Sequence, residues 1–193
     1  MKNKRKVLLI TIISFIALIL LALFFKNVKN SEDEYLKTVV KNVFSEDLNI
    51  RTDAIDKLEL LAKEGNPIAQ WRYGEVLLNT NKTQQAFHLL EDASEAGELK
   101  ATEILGMLYL ENKNILKGFN FLNRTANNEL PLSQSYLGRC FESGECGFSK
   151  NDYLAFYWLT LADKNGDSGA QYILEDLNKF EIDDKMQKKK RKK

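Results

Sequence analysis

Small residues recur along this chain at fixed intervals. Ala54, Ala86, Gly118 and Ala155 stand 32, 32 and 37 residues apart; Gly65, Gly97, Glu129 and Gly166 keep the same intervals, as do Ala69, Ala101, Ser133 and Ala170. Gly74, Gly106 and Gly138 add a further series at 32 and 32. Four series in one register define an internal repeat. Units this short cannot bury an apolar face alone and must stack on their neighbours. The fold class follows before any one segment is read: an array of similar units.

Residues 66–97, NPIAQWRYGEVLLNTNKTQQAFHLLEDASEAG, show the plan of one unit. Pro67 suits a first helical turn, where its missing N–H would have no partner. A helix over about 67–78 places Ala69, Tyr73, Val76 and Leu77 on one stripe, Asn79–Lys82 reads as a turn, and a second helix of about 83–96 turns Ala86, Leu89, Leu90 and Ala93 inward. Gly97 ends it as a left-handed cap. Ala69, Gly74 and Ala86 fall where the two antiparallel helices cross. The plan recurs in 98–129 and in 130–166, which has five extra residues between its helices, and it starts again in 167–180. Upstream, TDAIDKLELLAKEG matches a second helix, and Tyr35–Phe44 reads as the degenerate first helix of a capping unit, 35–65. The prediction is an all-α fold, an α/α solenoid of about four repeats over 35–180.

The formal charge of +1 conceals a strong asymmetry. All 27 acidic residues lie in 31–184, against 15 basic ones, a net of −12 there; residues 1–30 and 185–193 carry six and seven Lys/Arg and no acid. An acidic domain argues against nucleic acid as its partner, because phosphate contacts need a positive face. Val7–Phe25 is 19 residues without a charge, about 28 Å as a helix and enough for a bilayer core. It is longer than a typical signal-peptide core, and Leu23, Phe24 and Phe25 are too bulky for a cleavage site, so it reads as an uncleaved transmembrane signal-anchor. The cations of its N-terminal flank, Lys2, Lys4, Arg5 and Lys6, make 1–6 a cytoplasmic stub. The expected topology is single-pass in the inner (plasma) membrane with the C-terminal domain periplasmic. Residues 26–34 read as a polar linker and 181–193 as a disordered basic tail, whose Lys185–Lys193 could touch an anionic surface.

In detail the repeat resembles the Sel-one-like repeat (SLR) family, tetratricopeptide-related α/α repeats with the pattern LG-x-x-Y-x-x-G, a loop, then D-x-x-K-A-x-x-W-x-x-x-A-A-x-x-G and A-Q opening the next unit. The third unit supplies Leu137, Gly138, Phe141, Gly144, Asp152, Ala155, Trp158, Ala162 and Gly166, followed by Ala170 and Gln171. The first full unit supplies Ala69, Gln70, Tyr73, Gly74, Ala86, Ala93 and Gly97; the second keeps Gly106 and Tyr109 and departs at Gly118 and Glu129. The resemblance covers about 52–175. It implies a curved stack of helix pairs that binds a protein or peptide, as a membrane-anchored bacterial member working in the cell envelope, and no residue of its motif is catalytic.

Chemistry-bearing residues are few. The single histidine, His88, lies almost two repeats from the cysteines, and solenoid units touch only their neighbours. No nucleophile–base pair, phosphate loop or metal-ligand spacing is present, so no catalytic, cofactor or metal residue is assigned. Cys140 takes the register of Val76 and Leu108, and Cys146 lies in the expanded loop 143–150; in an oxidising compartment the two could form a local disulfide. First helices line the groove of such stacks, and there Trp71, Arg72, Glu75, Met107, Tyr136 and Arg139 fall off the apolar stripe and could face a partner. The function expected is a non-enzymatic adaptor or scaffold in an envelope assembly, such as a secretion or surface-polymer machine. A periplasmic immunity protein against a toxin is the alternative, and a cell-wall or β-lactam hydrolase the alternative of another class.

Overall fold

The computed structural model describes residues 2–177, with the backbone alone for 2–14, 16 and 17. Among the described residues every regular element is an α-helix. The chain divides into two compact units, Met1–Glu64 and Gly65–Lys193.

The first unit is a helical hairpin, α1 (Lys2–Asn42) and α2 (Leu48–Lys63). It departs from the expected linker over 26–34 and from a separate helix at Tyr35–Phe44: α1 runs through both without a break and stops at Asn42. Nothing in 2–42 interrupts a helix, since the stretch holds no glycine or proline. Its polar residues support the helix locally. Ser31 Oγ donates to the Val28 carbonyl at 2.7 Å, and Lys37 pairs with Glu34 at 2.8 Å. The Asp47 carboxylate caps α2, accepting from the Asn49 and Ile50 amides. Leu36 and Val39 of α1 are buried, as are Ala54, Leu58 and Ala62 of α2.

The second unit stacks three helix pairs, α3 (Pro67–Asn79) with α4 (Thr83–Glu95), α5 (Leu99–Glu111) with α6 (Ile115–Asn127), and α7 (Pro131–Ser143) with α8 (Asp152–Lys164). A further helix, α9, occupies 168–177. Bounds expected for α3 and α4 agree to within a residue. Between pairs the chain turns through left-handed residues, Gly97 at φ +95°, Glu129 at +64° and Gly166 at +101°. Glu129 thus holds, with a side chain, a conformation that glycine adopts freely.

Each pair closes on one repeated contact. An added Cβ on Gly74 would sit 3.0 Å from Leu90 Cγ, on Gly106 2.7 Å from Leu122 Cγ, and on Gly138 2.6 Å from Leu159 Cγ. The three leucines are fully buried. The glycine is a hole in the first helix, and the leucine of the second helix fills it. Two apolar clusters result, one around Trp71, Leu90 and Leu105, the other around Leu122, Leu137 and Leu159.

Candidate partner-binding surface

Each first helix buries one arc and leaves the other open. On α3 the buried arc holds Ala69, Gln70, Trp71, Gly74 and Leu77; the open side carries Ile68, Arg72 and Glu75. Register carries that side onto α5 as Lys100, Ile104 and Met107, and onto α7 as Leu132, Tyr136 and Arg139. The surface therefore has two cross-rows, Arg72–Ile104–Tyr136 and Glu75–Met107–Arg139. Of the residues expected off the stripe, Arg72, Glu75, Met107 and Tyr136 are half-buried and Arg139 is exposed.

Trp71 is the correction. It is 8% exposed and belongs to the core around Leu90 and Leu105. Its register mates Glu103 and Ser135 are buried as well, so this column faces inward in all three units. Trp71 acts on the surface through its neighbour: the Arg72 guanidinium lies 3.8 Å from the indole centroid, and Arg72 Nη1 donates to Glu75 at 3.2 Å. Stacking and ion pair hold Arg72 in one pose.

Tyr136 is half-buried, and burial first, then the Glu111 carboxylate, pushes its hydroxyl above the ordinary tyrosine value. The hydroxyl stays protonated through the neutral range and can donate to a ligand. Arg139 is exposed at the α7–α9 edge, where its Nη2 would lie 3.4 Å from a Cβ on Gly169.

Glu103 is the residue that pattern reading missed. Only 1% exposed, its carboxylate accepts from the Ser133 amide at 3.0 Å and the Ser133 hydroxyl at 2.7 Å through Oε1, while Lys100 donates to Oε2 at 2.8 Å. The α7 N-cap residue is Leu130, which offers no side-chain acceptor, so a carboxylate from the preceding unit does that work. The signal in the sequence was a lone acid in a column with Trp71. Across the same joint Gln134 donates to the Ala126 carbonyl at 2.8 Å, and within its own unit it accepts from Asn165 at 3.0 Å. On another side of the stack Tyr109 donates to Glu91 at 2.8 Å and receives a hydrogen bond from Lys117, which also sits over its ring.

Cys140 and Cys146 are joined as a disulfide, Cα atoms 5.5 Å apart. His88 is exposed on α4. Among the described residues no cluster of three or more His, Cys, Asp or Glu is disposed to hold a metal ion.

No family model matches the chain, and no curated protein matches it. Solved structures do. A Sel1 repeat protein from Oxalobacter formigenes is 28% identical, with a TM-score of 0.50 over 62% of this chain and 96% of that one. A protective antigen present in uropathogenic Escherichia coli strains, displaying an SLR fold, is 24% identical with a TM-score of 0.53 over 61% of this chain. This chain covers 27% of that antigen's length. The fold is an SLR fold.

Its register explains the placement of the surface residues. SLR units keep their small residues at helix crossings; on the open arc Ile104, Met107 and Tyr136 pack against the core from its margin. Among the described residues no helix is long and apolar enough to cross a membrane. The segment Val7–Phe25 lies in α1, but more than half of its side chains fall outside the described residues. Residues 178–193, with the basic run Lys185–Lys193, lie outside them entirely.

Proposed function

We propose that the chain is a membrane-anchored, non-enzymatic SLR adaptor of the cell envelope that binds a protein or peptide across the open face of α3, α5 and α7. One observation carries the reading: three helices in register place Arg72, Glu75, Ile104, Met107, Tyr136 and Arg139 outside their fully buried arcs. They are half-buried apart from the exposed Arg139, with Ile104, Met107 and Tyr136 packed at the margin of the core. The face pairs an apolar centre with charged flanks, the composition of protein interfaces, where Arg and Tyr are enriched.

The anchor part of the proposal rests on α1. Phe15, Leu18, Ile19, Leu20, Leu21, Leu23, Phe24 and Phe25 are all exposed. Residues 18–25 span two turns, so apolar side chains project in every direction, as on a helix that meets lipid. Four cations precede the segment and orient it with the domain outside the cytoplasm; a disulfide suits that compartment. The run Lys185–Lys193 would then lie near anionic headgroups, gaining up to about 1 kcal/mol per Lys or Arg at the surface.

A photo-crosslinking residue placed at Met107 or Tyr136 of the full-length chain in native membranes tests the face. A discrete adduct is expected there, absent when the same residue replaces His88, and lost on Ile104→Glu. Equal adducts from His88, or none from the open face, would remove the face as the binding surface.

A further inference from the structure

At the first joint of the array the Phe87 ring of α4 meets the Tyr109 ring of α5 edge to face, centroids 5.2 Å apart. Register puts Phe119 of α6 and Phe141 of α7 in those two places one unit later. There a third ring is added. Phe148, from the expanded loop between α7 and α8, packs 5.4 Å from Phe119 and 5.0 Å from Phe141. The five-residue expansion thus delivers a wedge to the joint between the second and third units.

Three features hold the wedge in place. The Asn151 amide donates to the Phe141 carbonyl at 2.7 Å and closes the loop over the end of α7. Gly147 lies so close on Ile115 of α6 that a Cβ would fall 2.5 Å from Cδ1. Cys146, two residues before Phe148, is bonded to Cys140 of α7. Cys146 has φ +56°, in the left-handed region that Asn81, Lys113 and Glu129 also occupy.

We propose that the Cys140–Cys146 disulfide is a redox-operated latch on the Phe148 wedge, whose opening loosens the joint between the second and third units. Cys146 is the more accessible partner; Cys140 is buried. A thiolate of a dithiol reductant attacks Cys146 Sγ, the Sγ–Sγ bond breaks, and Cys140 leaves as a thiolate that takes up a proton. The second thiol of the reductant then displaces Cys146 as a thiol. The protein gains two electrons and two protons, and the reductant becomes a cyclic disulfide. Freed of the bond, the loop is no longer tied to α7 at Cys146, and Phe148 leaves its two ring partners. Tyr136 and Arg139 share α7 with Cys140, so the latch decides whether they are fixed relative to Ile104 and Met107 on α5. The latch stands independently of whether that face binds a partner.

Hydrogen exchange read by mass spectrometry on the full chain, oxidised and after dithiothreitol, tests this. Reduction should speed exchange about ten-fold or more in 143–151 and also in 115–121 of α6, while 67–79 stays unchanged. Oxidised Phe148→Ala should speed 115–121 with the bond intact, and Cys146→Ser should match the reduced protein. Faster exchange confined to 143–151 would make the disulfide a local staple and overturn the proposal. So would acceleration throughout 67–164, which would make it a global stabiliser, or protection of 115–121 that survives Phe148→Ala.

Discussion

Glu103 shows what one residue does when its column turns inward. Its carboxylate ties Lys100 on its own helix to the first turn of α7, a unit away. Charge-assisted hydrogen bonds in a buried setting contribute about 1.5–3 kcal/mol. Glu103→Ala strips two donors of Ser133 of this acceptor and should cost about 2–4 kcal/mol; Glu103→Gln keeps an acceptor and should cost about 1–2 kcal/mol. Urea denaturation of the two variants measures both. A Glu103→Ala loss below about 0.5 kcal/mol, typical of a surface site, would show that the carboxylate is not holding the joint. Helical spacing alone could not place this residue. Trp71 reads as off-stripe, and its register mate Glu103 draws no notice, when the stripe is drawn for one helix against its own partner. In a stack the first helix packs on two neighbours, so its buried arc is wider than the stripe. That width takes Trp71 from the surface, while Arg72, one residue on, is half-buried and stacked on it.

At the scale of the element, the glycines of the first helices differ although they share one register. Alanine gains about 1 kcal/mol over glycine in helix propensity, and overpacking costs about 1–3 kcal/mol. At Gly74 a Cβ meets only side-chain atoms of Leu90, Cγ at 3.0 Å and the two Cδ atoms beyond it. At Gly106 and Gly138 it meets the leucine at 2.7 and 2.6 Å and the backbone nitrogen of that leucine at 3.0 and 3.2 Å. Gly74→Ala should therefore be close to neutral, and Gly106→Ala and Gly138→Ala should each lose about 1–2 kcal/mol, read from thermal or urea melts. Equal effects at all three would mean that the leucines, not the backbones, set the fit. Helix bounds were legible because Pro67, Gly97, Pro131 and Gly166 punctuate the units. The Phe148 wedge was not, since its loop lies outside the repeat register and no periodicity places its ring. The run 26–34 misled in the opposite way: its polarity suggested a linker, yet polarity without glycine or proline does not stop a helix already under way.

For the whole molecule, the sequence supplied the repeat and the helix pairs, because each depends on spacing. It marked a repeat boundary after residue 65, one residue from the division after Glu64. It could not show that the α1–α2 hairpin is a compact unit of its own, which depends on how the hairpin packs within itself. The proposed topology has a direct check. A reporter that requires export, fused after Lys193, should be active, and one that requires the cytoplasm should be silent; the reverse result would place the domain inside and leave the anchor misoriented. If the anchor stands, the unbroken course of α1 changes how the molecule samples its surroundings. A flexible nine-residue tether would let its load roam with a root-mean-square reach of about 16 Å. The same residues as helix form a strut of about 13 Å. The hairpin is then held at a set height above the bilayer, its search is reduced from a volume to a thin layer, and a partner anchored in the same membrane at that height meets a higher effective concentration than one free in solution.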